Sequence, residues 1–140
     1  MGKQVKVFEL LSKKQSLNVF KNQKRKNQLV DELKAATAYQ KKLTEILTNM
    51  AKELENKTVS QIKAENWYNL KIQDELTATV NKIEFLTIEI KNQGVQIALA
   101  SEKKRKFDEK KIQVQKIYAQ ELENKIENRA AAPSNNGPKY

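Results

Sequence analysis

"LVDELKAATAYQKKLTEILTNMAKEL", residues 29–54, decides the fold. Leu29, Leu33, Ala36, Gln40, Leu43, Leu47, Met50 and Leu54 follow one another at alternating steps of four and three. Only Gln40 among them is polar. Steps of four and three keep returning to one narrow side of an α-helix. That is the seam of helices wound on a partner, narrower than the broad apolar face of a helix in a globular core. A second seam runs through 72, 76, 79, 83, 86, 90, 93, 97, 100, 104, 107, 111, 114 and 118. Its apolar members are Ile72, Leu76, Ile83, Leu86, Ile90, Ile97, Ala100, Phe107, Val114 and Tyr118, and it frays after about residue 100.

The seams do not share one register through the "LENKTVSQIKAENW" between them. Thr58-Val59-Ser60-Gln61 has the form of a capping box, with Thr58 or Ser60 as N-cap. A turn at about 57–61 is therefore expected, with arm one at about 3–56 and arm two at about 62–129. The fold class is all-α, a long antiparallel two-helix coiled-coil hairpin forming one domain over 1–130. Ahead of the first seam, Phe8, Leu11, Leu17 and Phe20 read as a separate, weaker stripe, and "KNQKRKNQ", 21–28, has no apolar residue. "AAAPSNNGPKY" has no periodicity, so 131–140 reads as a disordered tail.

Composition agrees. Of three Gly and two Pro in 140 residues, only Gly94 interrupts the middle, so turns are scarce. With 39% hydrophobic and 31% charged residues, the chain can fill a thin seam but not a thick core. It has no Cys and no His, which excludes disulfides, Cys/His zinc sites and Cys–His or Ser–His nucleophilic catalysis. Asp74-Glu75 and Asp108-Glu109 are adjacent carboxylates, but a two-helix hairpin has no enclosed cleft to shift their pKa values. No enzyme, cofactor, metal or small-molecule substrate is expected. No apolar run reaches transmembrane length and no secretory h-region is visible, so a cytoplasmic protein is expected.

Net charge is +10 and is unevenly spread. Residues 1–30 carry eight Lys/Arg against one acid, and 102–140 carry ten against six. The stretch between is close to neutral. A hairpin brings the two basic stretches together as a basic pole, with Lys13 and Lys14 facing "KKRKFDEKK". Repulsion between them should leave that end looser than the tip. Such clusters fit a solvated face or docking on an acidic protein surface better than nucleic acid, because aromatics are not interleaved with them. Trp67, the only tryptophan, stands with Tyr68 just past the turn. Its expected role is packing over the tip of the seam, with an exposed partner anchor as the alternative.

Four motifs in order resemble the family of the flagellar export protein FliJ: "VFELL" (7–11), "AYQKKL" (38–43), "NWYNL" (66–70) and "VQIALASEKKRKF" (95–107). The resemblance spans about residues 5–115. It implies a hairpin similar to the central stalk of rotary ATPases, serving type III protein export without catalysis. The implied partners are a FliI-like export ATPase hexamer, a FlhA-like export gate protein and export chaperones, at the cytoplasmic face of the inner membrane. The family's gate-binding face implies Tyr39, with Ala36 and Leu43 beside it and Val80 on the second arm. Glu32, Ala36 and Leu43 differ in type from the family pattern, and Gln73 and Thr77 stand where it is apolar. The basic pole of Lys13, Lys14, Lys24, Arg25, Lys26, Lys103, Lys104, Arg105 and Lys106 suits docking in the ATPase ring. That step is an analogy at fold level. The alternatives are the stalk protein of a virulence type III injectisome and a basic coiled-coil nucleic-acid binder.

Overall fold

The structure is a computed structural model and describes residues 2–53 and 57–135, with side chains described as far as residue 130. Two long α-helices pack against each other, α1 (Gly2–Lys52) and α2 (Val59–Asn135). No strand occurs among the described residues. Contacts divide the chain into two units: residues 1–20 with 97–140, and residues 21–96. Each unit is an antiparallel helix pair.

In the second unit the seam is built as the spacing requires. Leu29, Ala36, Leu43, Ile72, Thr79 and Leu86 are buried. Leu33, Gln40, Leu47, Met50, Leu76, Ile83, Ile90 and Gln93 are half-buried between them. Leu29, Ala36 and Leu86 form its centre, with Leu33, Ile83 and Ile90 packed on it. Leu29 and Leu86 are only 1% and 2% exposed. Full burial of a leucine contributes about 1.5–3 kcal/mol, so this layer anchors the pair. Leu54, the last residue of the first seam, lies outside the described residues.

The turn is defined by chemistry at the start of α2. The Gln61 N–H donates to Thr58 Oγ1 (3.3 Å), and the Thr58 N–H donates to Gln61 Oε1 (3.0 Å). This reciprocal capping box makes Thr58 the N-cap, not Ser60, and satisfies two donors that the first helical turn leaves over. α2 accordingly begins at Val59, earlier than the expected 62. Beside it, Lys57 pairs with Glu53 and Glu65. The hydrogen bond to Glu65 is the main cause that raises the Lys57 pKa. Residues 54–56, part of the expected first arm, lie outside the described residues.

The first unit corrects the expected N-terminal stripe. Phe8 and Leu11 are half-buried, but Leu17 and Phe20 are 59% and 66% exposed. The steps of four and three continue backwards from Leu29 through Lys26, Asn22, Val19, Gln15, Ser12, Phe8 and Val5, all of them buried or half-buried. A continuous helix keeps its register. Leu17 and Phe20 fall outside that row. Polar residues therefore occupy seam positions. Ser12, 8% exposed, is made tolerable by donating its hydroxyl to Asp108 Oδ1 at 2.6 Å.

On α2 the seam stays shielded through Ala100, Lys104, Phe107, Lys111 and Val114, further than the fraying expected near 100. Tyr118, assigned to it, is 43% exposed, and every side chain from 115 to 130 is exposed. The helical backbone continues to Asn135, past the expected boundary at 129. Residues 136–140 of the expected tail lie outside the described residues. No helix among the described residues is long and apolar enough to cross a membrane.

Candidate functional site

In the second unit an open groove of about 410 Å³ lies between α1 and α2. Its floor is made of small side chains, Ala35 and Ala36 from α1 and Ala78 and Thr79 from α2. Tyr39, Glu75 and Lys82 form its walls. Small residues at matching levels of both helices leave a hollow where larger ones would have filled the edge of the seam. Thr79 hides its hydroxyl by donating to the Glu75 carbonyl at 2.7 Å.

Tyr39 is 44% exposed, and its hydroxyl donates to Glu75 Oε2 at 3.0 Å across the two helices. That bond to the carboxylate, helped by desolvation and the Glu75 charge, raises the phenol pKa above its ordinary value. The phenol is thus favoured in its neutral form beside the hollow, and the side chain is partly exposed. An apolar floor, an aromatic wall and one charge of each sign can receive a side chain from another protein. Among the described residues no three acidic side chains gather as a metal cage would need.

The residues expected on a gate-binding face are only partly brought together. Tyr39 and Ala36 line the groove. Ala36 is 6% exposed, so it contributes floor rather than a projecting contact. Leu43 is 5% exposed and stands on a seam position seven residues from Ala36, so it packs in the core of the pair. Val80 is half-buried and does not line the groove. It follows the seam residue Thr79 on the side away from Glu75, so helical periodicity points it to the opposite edge of the pair. Glu75, Ala78, Thr79 and Lys82 are the α2 residues that sequence reasoning missed. The available signal was the heptad: Glu75 and Lys82 are seven apart, as are Tyr39 and Ile46.

Trp67 does not cover the tip of the seam. It is 61% exposed, and its ring has the Lys71 ammonium 4.3 Å from the centroid. Ile72, Asn69 and Glu65 hold the inward positions around it, and Trp67 falls on the far side of the helix from them. Tyr68 is 51% exposed and adds a minor push to the raised Tyr39 pKa, after Glu75 and desolvation.

The basic residues divide between the units. Lys13, Lys14, Lys103, Lys104, Arg105 and Lys106 belong to the first, and Lys24, Arg25 and Lys26 to the second. In the first unit Lys13 does face the α2 cluster, sharing a groove with Glu9, Ser12, Asp108 and Lys111. The cluster is less bare than its composition implied. Lys111 pairs with Glu9 at 3.0 Å and Lys104 with Asp108 at 3.0 Å. Arg105 is held between Glu102 and Glu109, and the Glu102 contact raises its pKa further. Asp108 is held below the usual carboxylate range by the Ser12 hydroxyl and then by Lys104. Interleaved acids thus offset the repulsion expected here. In the second unit Lys26 is half-buried on the seam and reaches across Gly94.

No family model, no curated protein and no solved structure matches this chain.

Proposed function

We propose that this chain is a non-enzymatic, FliJ-like component of the flagellar type III protein export apparatus. In this proposal it docks in the ring of the export ATPase, contacts the export gate and escorts export chaperones, working as a cytoplasmic protein held at the inner membrane by the apparatus. One observation carries it: Tyr39, in the motif that resembles the family's first-arm element, stands exposed and fixed by Glu75 beside an open groove. The antiparallel helix pair in each unit is compatible with the proposed likeness to a rotary ATPase stalk. The gate contact is assigned to Tyr39 with Ala36, Glu75, Ala78 and Lys82, in place of Leu43 and Val80. The ATPase contact is assigned to cations of the first unit, with Lys13, Lys14, Lys103 and Lys106 in the lead. Among the described residues these four have no acidic partner within salt-bridge distance.

The test is stimulation of the export ATPase from the same organism. The wild-type chain should raise its turnover, and a variant with Lys103, Lys104, Arg105 and Lys106 changed to Glu should not. Absence of both stimulation and co-purification would sink the proposal. The injectisome counterpart is separated by offering the flagellar and the injectisome ATPases side by side.

A further inference from the structure

The edge of the second unit that carries the groove also carries two exposed side chains at a second level. Seven residues along α1 from Tyr39 stands Ile46, and seven residues back along α2 from Glu75 stands Tyr68. Seven residues are nearly two helical turns, so each pair shares a side of its helix. Because Tyr39 bonds Glu75, these sides form one edge of the antiparallel pair. Ile46 and Tyr68 are 38% and 51% exposed and sit at one level of it. The hollow over Ala36 and Ala78 sits at another level.

The offset between the two levels is the same on both helices. Ile46 is ten residues from Ala36, and Tyr68 is ten from Ala78. At 1.5 Å per residue that is about 15 Å on each arm. A patch with a projection and a matching hollow at equal offsets is self-complementary under a two-fold axis midway between them. That axis crosses this edge at the level of Gln73 of α2, whose side chain lies on the other edge with Val80. Turned about it, the Tyr68 ring of one copy meets Ala78 of the other, and Ile46 meets Ala35 and Ala36. Glu75 and Lys71 lie two residues to either side of the axis; when Lys71 swings off the Trp67 ring, each copy's ammonium reaches the carboxylate that the other copy holds beside Tyr39. The local charge permits the approach: residues 58–101 carry four Lys/Arg and five acids in a chain of net charge +10.

We infer that this edge binds a second copy of the chain, antiparallel, with Tyr68 and Ile46 of each copy seated in the Ala36–Ala78 groove of the other. The inference does not depend on export activity. If Tyr39 also contacts the gate, the dimer hides that contact, and self-association competes with the partner.

Sedimentation velocity of the full chain over a concentration series tests it. Wild type should pass from monomer to dimer. Ala78→Leu fills the hollow at an exposed helical position and should weaken the dimer by about tenfold or more with unchanged helicity. Glu75→Lys and Lys71→Glu should each weaken it, and the double exchange should restore it, since a homodimer presents both changes to itself. The chain has no cysteine. The variant Tyr68→Cys/Ala78→Cys should therefore form disulfide-linked dimers under oxidation, and Tyr68→Cys alone should not. A chain that stays monomeric at several hundred micromolar overturns the inference (roughly the strength of a weak complex). So does a dimer indifferent to Ala78→Leu and to the charge exchange, which would show that another surface associates.

Discussion

Replacing Gly94 by alanine should stabilise the protein. Gly94 lies inside α2 with no positive φ, so the backbone makes no demand that only glycine meets. A methyl group built there meets only the Lys26 ammonium, at 3.8 Å, which is ordinary contact with the far end of a flexible side chain. Nothing has to move. Glycine in a helix interior costs about 0.8–1.0 kcal/mol relative to alanine, mainly through the freedom it loses on folding. Half-burial of the new methyl adds about 0.3 kcal/mol. Gly94→Ala should therefore gain about 1 kcal/mol, or about 3–5 °C in Tm for a chain of this size. Urea unfolding followed by circular dichroism reads both the midpoint and the slope. A higher midpoint at constant slope is expected. A loss of about 1 kcal/mol or more would refute the reasoning, because it would mean that the helices approach here more closely than Lys26 and Gly94 show.

Leu86→Ala removes a side chain that is 2% exposed, and should cost about 2.5–4 kcal/mol in the same assay. A cost below about 1 kcal/mol would deny that this layer anchors the pair. Gln93 holds a seam position with Oε1 buried and unpartnered, so Gln93→Leu should raise stability by about 1 kcal/mol. Thr58→Ala removes an N-cap and should cost about 1 kcal/mol, while Ser60→Ala should be nearly neutral. Trp67→Ala should leave the melting curve within about 0.5 kcal/mol, since the ring is largely solvated. Acid should weaken the fold through Asp108. Its folded pKa is depressed, so its stabilisation is complete above the ordinary carboxylate pKa of about 3.9 and is lost as pH falls through the lower folded value. Asp108→Asn should flatten that acid limb, and an unchanged limb would remove the Ser12–Asp108 bond from consideration.

The seams and the turn were legible because each rests on local periodicity. Steps of four and three located Leu29 to Met50 and Ile72 to Ala100, and Thr58 with Gln61 located the cap. What periodicity hid was the register of the polar stretch. Ser12 and Gln15 in the first unit, and Asn22 and Lys26 in the second, look like surface residues, yet each stands on an inward position of its own helix pair. Leu17 and Phe20 face outward instead. Trp67 misled for a related reason, since size and hydrophobicity argued for burial while its place opposite Ile72 and Asn69 put it outside. The candidate site was half legible. Tyr39 and Ala36 could be named, but Glu75, Ala78 and Lys82 depend on which level of α2 faces Tyr39, a long-range pairing that no single helix encodes.

The groove beside Tyr39 is the proposed meeting point with the export gate, and an affinity measurement between this chain and the FlhA-like protein of the same organism bears on it most directly. Tyr39→Ala should weaken binding by about tenfold or more, the loss expected of an aromatic interface anchor. Leu43→Met, a volume-conserving change in the seam, and Val80→Ala, on the other edge, should leave affinity within about twofold. Equal binding by wild type and Tyr39→Ala, or a loss confined to Val80→Ala, would contradict the assignment.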